Sequence, residues 1–183
     1  MPFSFRLKYN ILGDDFMDKK RACARPFDLA ATLCRGPDAL ARIEGSASYR
    51  NINGTVSFYK TARGTLVYAR VGGLPTERGG CKGRVFAFHI HEGSECRGNY
   101  DDPFAAALSH YNPCGCEHPH HAGDMPPLFE AGGEALLVFL TDRFSVDEIV
   151  GKTVIIHAGV DDFTSQPAGN AGEKIACGVI RRT

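Results

Sequence analysis

Neither sign of charge is in surplus in this chain: Lys plus Arg is 21 and Asp plus Glu is 21 among 183 residues, a formal net charge of zero. A surface without a dominant sign offers no electrostatic footprint for nucleic acid or an anionic membrane, so neither is expected as a partner. No apolar run approaches the roughly 20 residues that a bilayer-crossing helix needs. Segments such as Ile11-Leu12 and Leu29-Ala30-Ala31-Thr32-Leu33 are too short, and too interrupted by Asp and Arg, for the apolar core of a secretory leader. No export segment is expected, and the compartment stays open. The length fits one domain with a sizeable core, and two compact domains would be cramped.

What the chain does have is 21 glycines and 10 prolines set among Val, Ile, Phe and Tyr, the pattern of short strands linked by turns. Residues 1–37 carry no sustained period and read as an N-terminal extension with a short helix at residues 26–33. Strand patterning begins near Ala39, and residues 38–183 form the main domain. Strands are expected at residues 39–43, 55–59, 65–71, 84–91, 135–141, 153–157 and 175–180, the second and third pairing as a hairpin. Residues 144–151 read as a turn whose Val146, Ile149 and Val150 cover an end of the core. Residues 92–133 form a long Gly/Pro-rich connection, uncommon in a compact domain unless it is functional or held by a ligand. Residues 158–173 make a second loop. Few helices and repeated strand–turn signals favour an antiparallel sandwich or barrel.

The chemistry begins at Phe88-His89-Ile90-His91-Glu92. Side chains alternate across a strand, so His89 and His91 share one face while Phe86, Phe88 and Ile90 take the other. A lone His-x-His often only decorates a surface. Here it is followed by His110, by His118, His120, His121 and Asp124, and by His157, which together hold all seven histidines. Four imidazoles, His89, His91, His110 and His157, suit a tetragonal copper centre that stays bound in both oxidation states. Three imidazoles and a carboxylate suit tetrahedral zinc, which has no redox chemistry of its own. Asp124 supplies that carboxylate, with His118 and His121 nearest; the third ring is either His120 or one shared with copper.

Seven cysteines, an odd number, leave at least one thiol unpaired within the chain, bound to metal or linked to another chain. Cys23 and Cys34 either staple the extension or remain reduced. Cys114 and Cys116 either bind a metal, pair with another cysteine or lie idle on the surface. Cross-linking through these four and Cys81 is the route by which the chain would be a structural protein rather than an enzyme.

In order along the chain, Phe88-His89-Ile90-His91-Glu92, His110-Tyr111-Asn112-Pro113, His121-Ala122-Gly123-Asp124, His157-Ala158-Gly159-Val160-Asp161-Asp162 and Gly169-Asn170-Ala171-Gly172 through Ala176-Cys177-Gly178 resemble the segments of copper/zinc superoxide dismutases, especially bacterial ones. The resemblance runs over residues 39–180. It implies an all-β fold, a Greek-key antiparallel sandwich or flattened barrel of about eight strands with two long functional loops. It implies copper on His89, His91, His110 and His157, zinc on His110, His118, His121 and Asp124, and His110 as the bridge, which leaves His120 a neighbour. Asp161 matches the carboxylate that joins a copper histidine to a zinc histidine. Cys96 and Cys177 match the family's intrachain disulfide. The implied reaction is dismutation of superoxide to oxygen and hydrogen peroxide, with His110 exchanging a proton; the alternative is a non-enzymatic copper/zinc-binding protein on the same fold. Where the family places an arginine beside copper, this chain has Lys174, which keeps the charge and loses the planar fork. Asp161, Asp162 and Glu173 share its loop, so strong steering of the substrate is not expected. Assembly into a homo-oligomer is compatible with the family, whose members associate through different surfaces.

Overall fold

A computed structural model describes residues 27–76 and 84–183. Most of the expected extension, with Cys23, and the stretch holding Cys81 lie outside the described residues. The described chain forms nine strands: β1 (Ala39–Gly45), β2 (Asn53–Thr61), β3 (Gly64–Gly72), β4 (Val85–Phe86), β5 (Phe88–His91), β6 (Leu128–Phe129), β7 (Ala135–Thr141), β8 (Thr153–His157) and β9 (Lys174–Arg182). Two short α-helices, α1 (Leu29–Cys34) and α2 (Val146–Ile149), and a 3-10 turn at Ala105–Ala107 accompany them.

Seven strands make one antiparallel sheet in the order β5-β8-β9-β1-β2-β3-β7, while β4 and β6 pair separately. The first three strands form a meander. The chain then crosses to β5 at the far edge, returns to β7 beside β3, and crosses again to β8 beside β5. These crossovers let the curled sheet enclose a single core, the flattened sandwich or barrel expected from sequence. Its interior is built by alternation: Ala39, Ala41 and Ile43 of β1 point inward with Val56 and Phe58 of β2, Val67, Ala69 and Val71 of β3, and Val154 and Ile156 of β8. Burying each of the larger apolar side chains contributes about 1.5–3 kcal/mol.

Several elements differ from the sequence reading, among them the 3-10 turn at Ala105–Ala107 and strand β6, both inside the connection expected over residues 92–133. The strand expected over residues 84–91 breaks at Ala87, whose N–H donates to Gly159 O and whose carbonyl accepts from His157 N–H. Phe86 therefore pairs with Leu128 in the small sheet while β5 joins β8. The expected turn after β7 contains helix α2, closed by a capping box in which Ser145 and Glu148 satisfy each other's backbone N–H groups. Val146 and Ile149 of α2 are fully buried against the core, as their apolar spacing requires. Helix α1 starts at Asp28, whose side chain accepts from Ala31 N–H.

Candidate metal centre

Every residue of β5 is buried. Phe88 and Ile90 enter the core, so His89 and His91 face away from it, and that second face is covered by the two long loops. The first loop folds back along β5 by backbone pairing: Glu92 N–H donates to Ser109 O, Tyr111 N–H to Ile90 O, and Ile90 N–H to Gly123 O, all within 2.8–2.9 Å. This sets His91 opposite His110 and His89 opposite Asp124. His157 arrives from the end of β8, next to a register shift against β9.

Two groups of potential ligand atoms result, each within 4.8 Å of one another: His89, His91, His110 and His157, and His110, His118, His121 and Asp124. All seven residues are buried. His110 belongs to both sets, so the third imidazole of the loop set is the shared ring. His120 is exposed and in neither set.

Hydrogen bonds fix which nitrogen of each ring is left over. His91 Nδ1–H donates to Leu108 O at 2.8 Å and His157 Nδ1–H donates to Gly172 O at 3.1 Å. Both Nε2 atoms then carry lone pairs, yet they face each other at 3.3 Å. Two acceptors at that distance repel unless a proton or cation lies between them. His89 Nε2–H donates to Asp161 Oδ2, and His118 Nε2–H to Asp161 Oδ1, each at 2.8 Å. The opposite atoms, His89 Nδ1 and His118 Nδ1, are buried and make no hydrogen bond, and neither does His110 Nε2; His118 Nδ1 only approaches Asp124 Oδ2, at 3.0 Å. Orphaned buried nitrogens are costly and rare, so three of them converging on two points are what a metal-binding site looks like before the metal is counted. The donor sets fit: four imidazoles accommodate copper in either oxidation state, and three imidazoles with a carboxylate accommodate tetrahedral zinc.

Electrostatics agree with neutral, ligating rings. Burial, with the charge of neighbouring histidines, pushes His91 well below the usual imidazole range, and burial, then the charge of His89, pushes His157 down to about 3. Burial also lowers His89, against the pull of Asp161. Burial opposes ionisation of Asp161, but hydrogen bonds from His89, Phe163 N–H and His118 outweigh it and hold the carboxyl well below its usual range. Asp124 is likewise lowered, burial being outweighed by His110 and the other loop histidines. His110 Nδ1 lies 2.8 Å from Asp124 Oδ1 and 3.4 Å from His121 Nδ1.

Supporting residues escaped the sequence reading. Gln166 brackets His118, its Oε1 accepting from His118 N–H at 3.0 Å and its Nε2 donating to His118 O at 2.7 Å. Arg143 Nη1 donates to Pro119 O, Asp124 O and His121 O at 2.9–3.4 Å, gathering the loop that carries the second set. Gly169, at φ +65°, lies so close to the Asp161–His118 contact that a Cβ there would stand 2.0 Å from Asp161 Oδ1. Gln166 and Arg143 have no sequence signature, being recognised only by what the fold brings beside them, whereas Gly169 opens the Gly169–Gly172 segment that carries the resemblance. The sites open on a cavity of about 350 Å³ lined by His91, His110, His121, His157 and Lys174. Cys96 and Cys177 form a disulfide across 81 residues, joining the first loop to β9. Cys34, Cys114 and Cys116 are exposed free thiols.

A curled antiparallel sheet with one ligand set carried mainly on β5 and β8, a second carried on the long loop, and one imidazole shared between them defines a dinuclear copper/zinc protein. The family model described as copper/zinc superoxide dismutase matches residues 52–180. Among curated proteins, the chain is 38% identical over 143 residues to superoxide dismutase [Cu-Zn] 2 of Aquifex aeolicus, covering 70% of this chain and 78% of that one. It is 32% identical over 149 residues to superoxide dismutase [Cu-Zn] of Deinococcus radiodurans, covering 71% and 78%. The chain belongs to the copper/zinc superoxide dismutase family.

Proposed function

We infer that the two ligand sets act as one centre that disproportionates superoxide: two anions and two protons give one dioxygen and one hydrogen peroxide. The observation that carries this reading is the shared His110, with an orphaned Nε2 in the four-histidine set and Nδ1 in the set with Asp124. Copper, when bound, supplies a one-electron store that alternate superoxide molecules fill and empty, and zinc supplies a fixed positive charge.

The chain's own residues do the rest. His89, His91 and His157 would hold the redox metal, each oriented by a hydrogen bond from its other ring nitrogen to Asp161, Leu108 O or Gly172 O. Such fixed rings limit reorganisation between oxidation states. His110 Nε2, buried and without a hydrogen-bond partner, is the atom that would hold a proton for delivery toward peroxide. His118, His121 and Asp124 keep the His110 ring in place through Nδ1, and Asp161 ties His118 to His89. Lys174 supplies a cation at the cavity rim to draw the small anion.

The test is superoxide consumption by protein with quantified copper and zinc, beside His110→Ala. The expected result is fast, copper-dependent turnover with each metal near one per chain, and loss of at least about 100-fold in the variant, the scale of a positioned proton donor. Full occupancy without turnover would sink the catalytic reading and leave a metal-binding protein on this fold.

A further inference from the structure

The Lys174 ammonium is tied down at the cavity rim. Its Nζ donates to Asp102 Oδ2 at 2.7 Å and to Phe104 O at 3.3 Å. The Lys174 side chain is 15% exposed and that of Asp102 39%. Asp102 is itself anchored: its Oδ1 accepts from Phe104 N–H, its own N–H donates to Asn99 Oδ1, and its carbonyl accepts from Asn99 and Ala105 N–H. The same loop is bonded to β9 a second time through Cys96 and Cys177, three residues beyond Lys174. The carboxylate therefore sits on a loop fixed at several points, and the flexible lysine follows it.

We propose that Asp102 is a positioning residue for the incoming anion: it fixes Lys174 Nζ at the rim and offsets its charge, so the Asp102–Lys174 pair, rather than the lysine alone, sets how strongly an anion is drawn toward the histidines. This rests on the reading of Lys174 as the anion-guiding cation. A cation with a carboxylate at hydrogen-bond distance acts at range as a dipole, whose attraction for an anion is weaker and shorter-reaching than that of a bare charge. The arrangement trades attraction for a defined position of the ammonium.

The test uses the copper- and zinc-loaded enzyme with azide as probe, binding being followed by the change in the copper(II) absorption band at low and high ionic strength. Asp102→Asn keeps an oxygen for Phe104 N–H and removes the charge. It should tighten azide binding by about threefold to tenfold at low ionic strength, the gain shrinking in salt. Lys174→Gln should weaken binding, and in that background Asp102→Asn should give a smaller gain, because with no ammonium to release only the carboxylate's own repulsion of the anion is removed. Unchanged affinity in Asp102→Asn with weakened binding in Lys174→Gln would overturn the role of Asp102 and leave that of Lys174 standing. Unchanged affinity in Lys174→Gln would overturn the Lys174 reading, and an equal gain in both backgrounds would reduce Asp102 to an independent charge. Should Asp102→Asn not take up copper, Asp102→Ser, with a shorter acceptor, gives the same readout.

Discussion

The two ligand sets differ in how far the protein satisfies them unaided. In the second set Asp124 lies within 3.3 Å of nitrogens on His110, His118 and His121 and accepts from His121 N–H, while Arg143 gathers the surrounding carbonyls. That set carries its own countercharge. In the four-histidine set there is no carboxylate among the candidate ligands, and two lone pairs confront each other between His91 and His157. One half holds a carboxylate against its ring nitrogens, although His118 Nδ1 still makes no hydrogen bond; the other has no such countercharge and is a frustrated set that a proton or cation resolves. The difference teaches that rigidity and reactivity are placed on opposite sides of His110.

The largest perturbation removes what the halves share. Asp161→Ala should weaken copper and zinc binding together, by about 10–100-fold each, as loss of a ligand-orienting carboxylate does. Competition with calibrated chelators measures both, and a loss confined to one metal would show that the carboxylate serves only one set. Gly169→Ala should act the same way, because its Cβ would strike Asp161.

Acid separates the halves. His89, His91 and His157 are held below the ordinary imidazole value, so the unfolded chain takes up protons first as pH falls. Stability of the metal-free protein is full above the unfolded imidazole pKa of about 6.5 and is lost on acidification toward about 3, where His157 itself protonates, with a slope of about 1.4 kcal/mol per pH unit per histidine. Asp124 and Asp161, being lowered carboxylates, keep their contribution until the pH falls below the ordinary carboxylate range. Chemical denaturation of the metal-free protein at pH 7.5 and about 5.5 is the check, and equal stabilities would contradict the frustrated histidine set.

The smallest effect falls on one half alone. Arg143→Ala should lower zinc affinity by about tenfold while copper affinity stays near its original value, since the guanidinium touches only the loop of the second set. Equal losses of both metals would mean that this loop also positions the copper side.

Strand order aside, much of this was legible in the residues. The alternation in Phe88-His89-Ile90-His91 separates core from site, and the histidine segments carry the ligand chemistry. The residues alone left open whether His120 or a shared ring joins His118, His121 and Asp124; in the fold His110 lies beside them, while His120 is exposed and in neither group. Asp102, Arg143 and Gln166 were illegible because nothing local distinguishes them from surface residues; each acts on a partner at least 19 residues away. The strand at residues 135–141 reads as uniformly apolar, yet β7 turns Leu136, Val138 and Leu140 outward, at 68%, 37% and 39% exposure. Composition does not tell a strand buried on both faces from one buried on a single face.

The Asp161 carboxylate, with one oxygen on His89 and the other on His118, has a mechanical consequence. Apart from the backbone pairing along β5, His110 is the side chain that joins the two ligand sets, a pivot about which one could turn against the other. The carboxylate is a second strut alongside it, and two struts make a closed linkage that resists such rotation. A displacement of one of these rings would be passed through the carboxylate to the other, so each histidine is aimed partly by its counterpart across the frame.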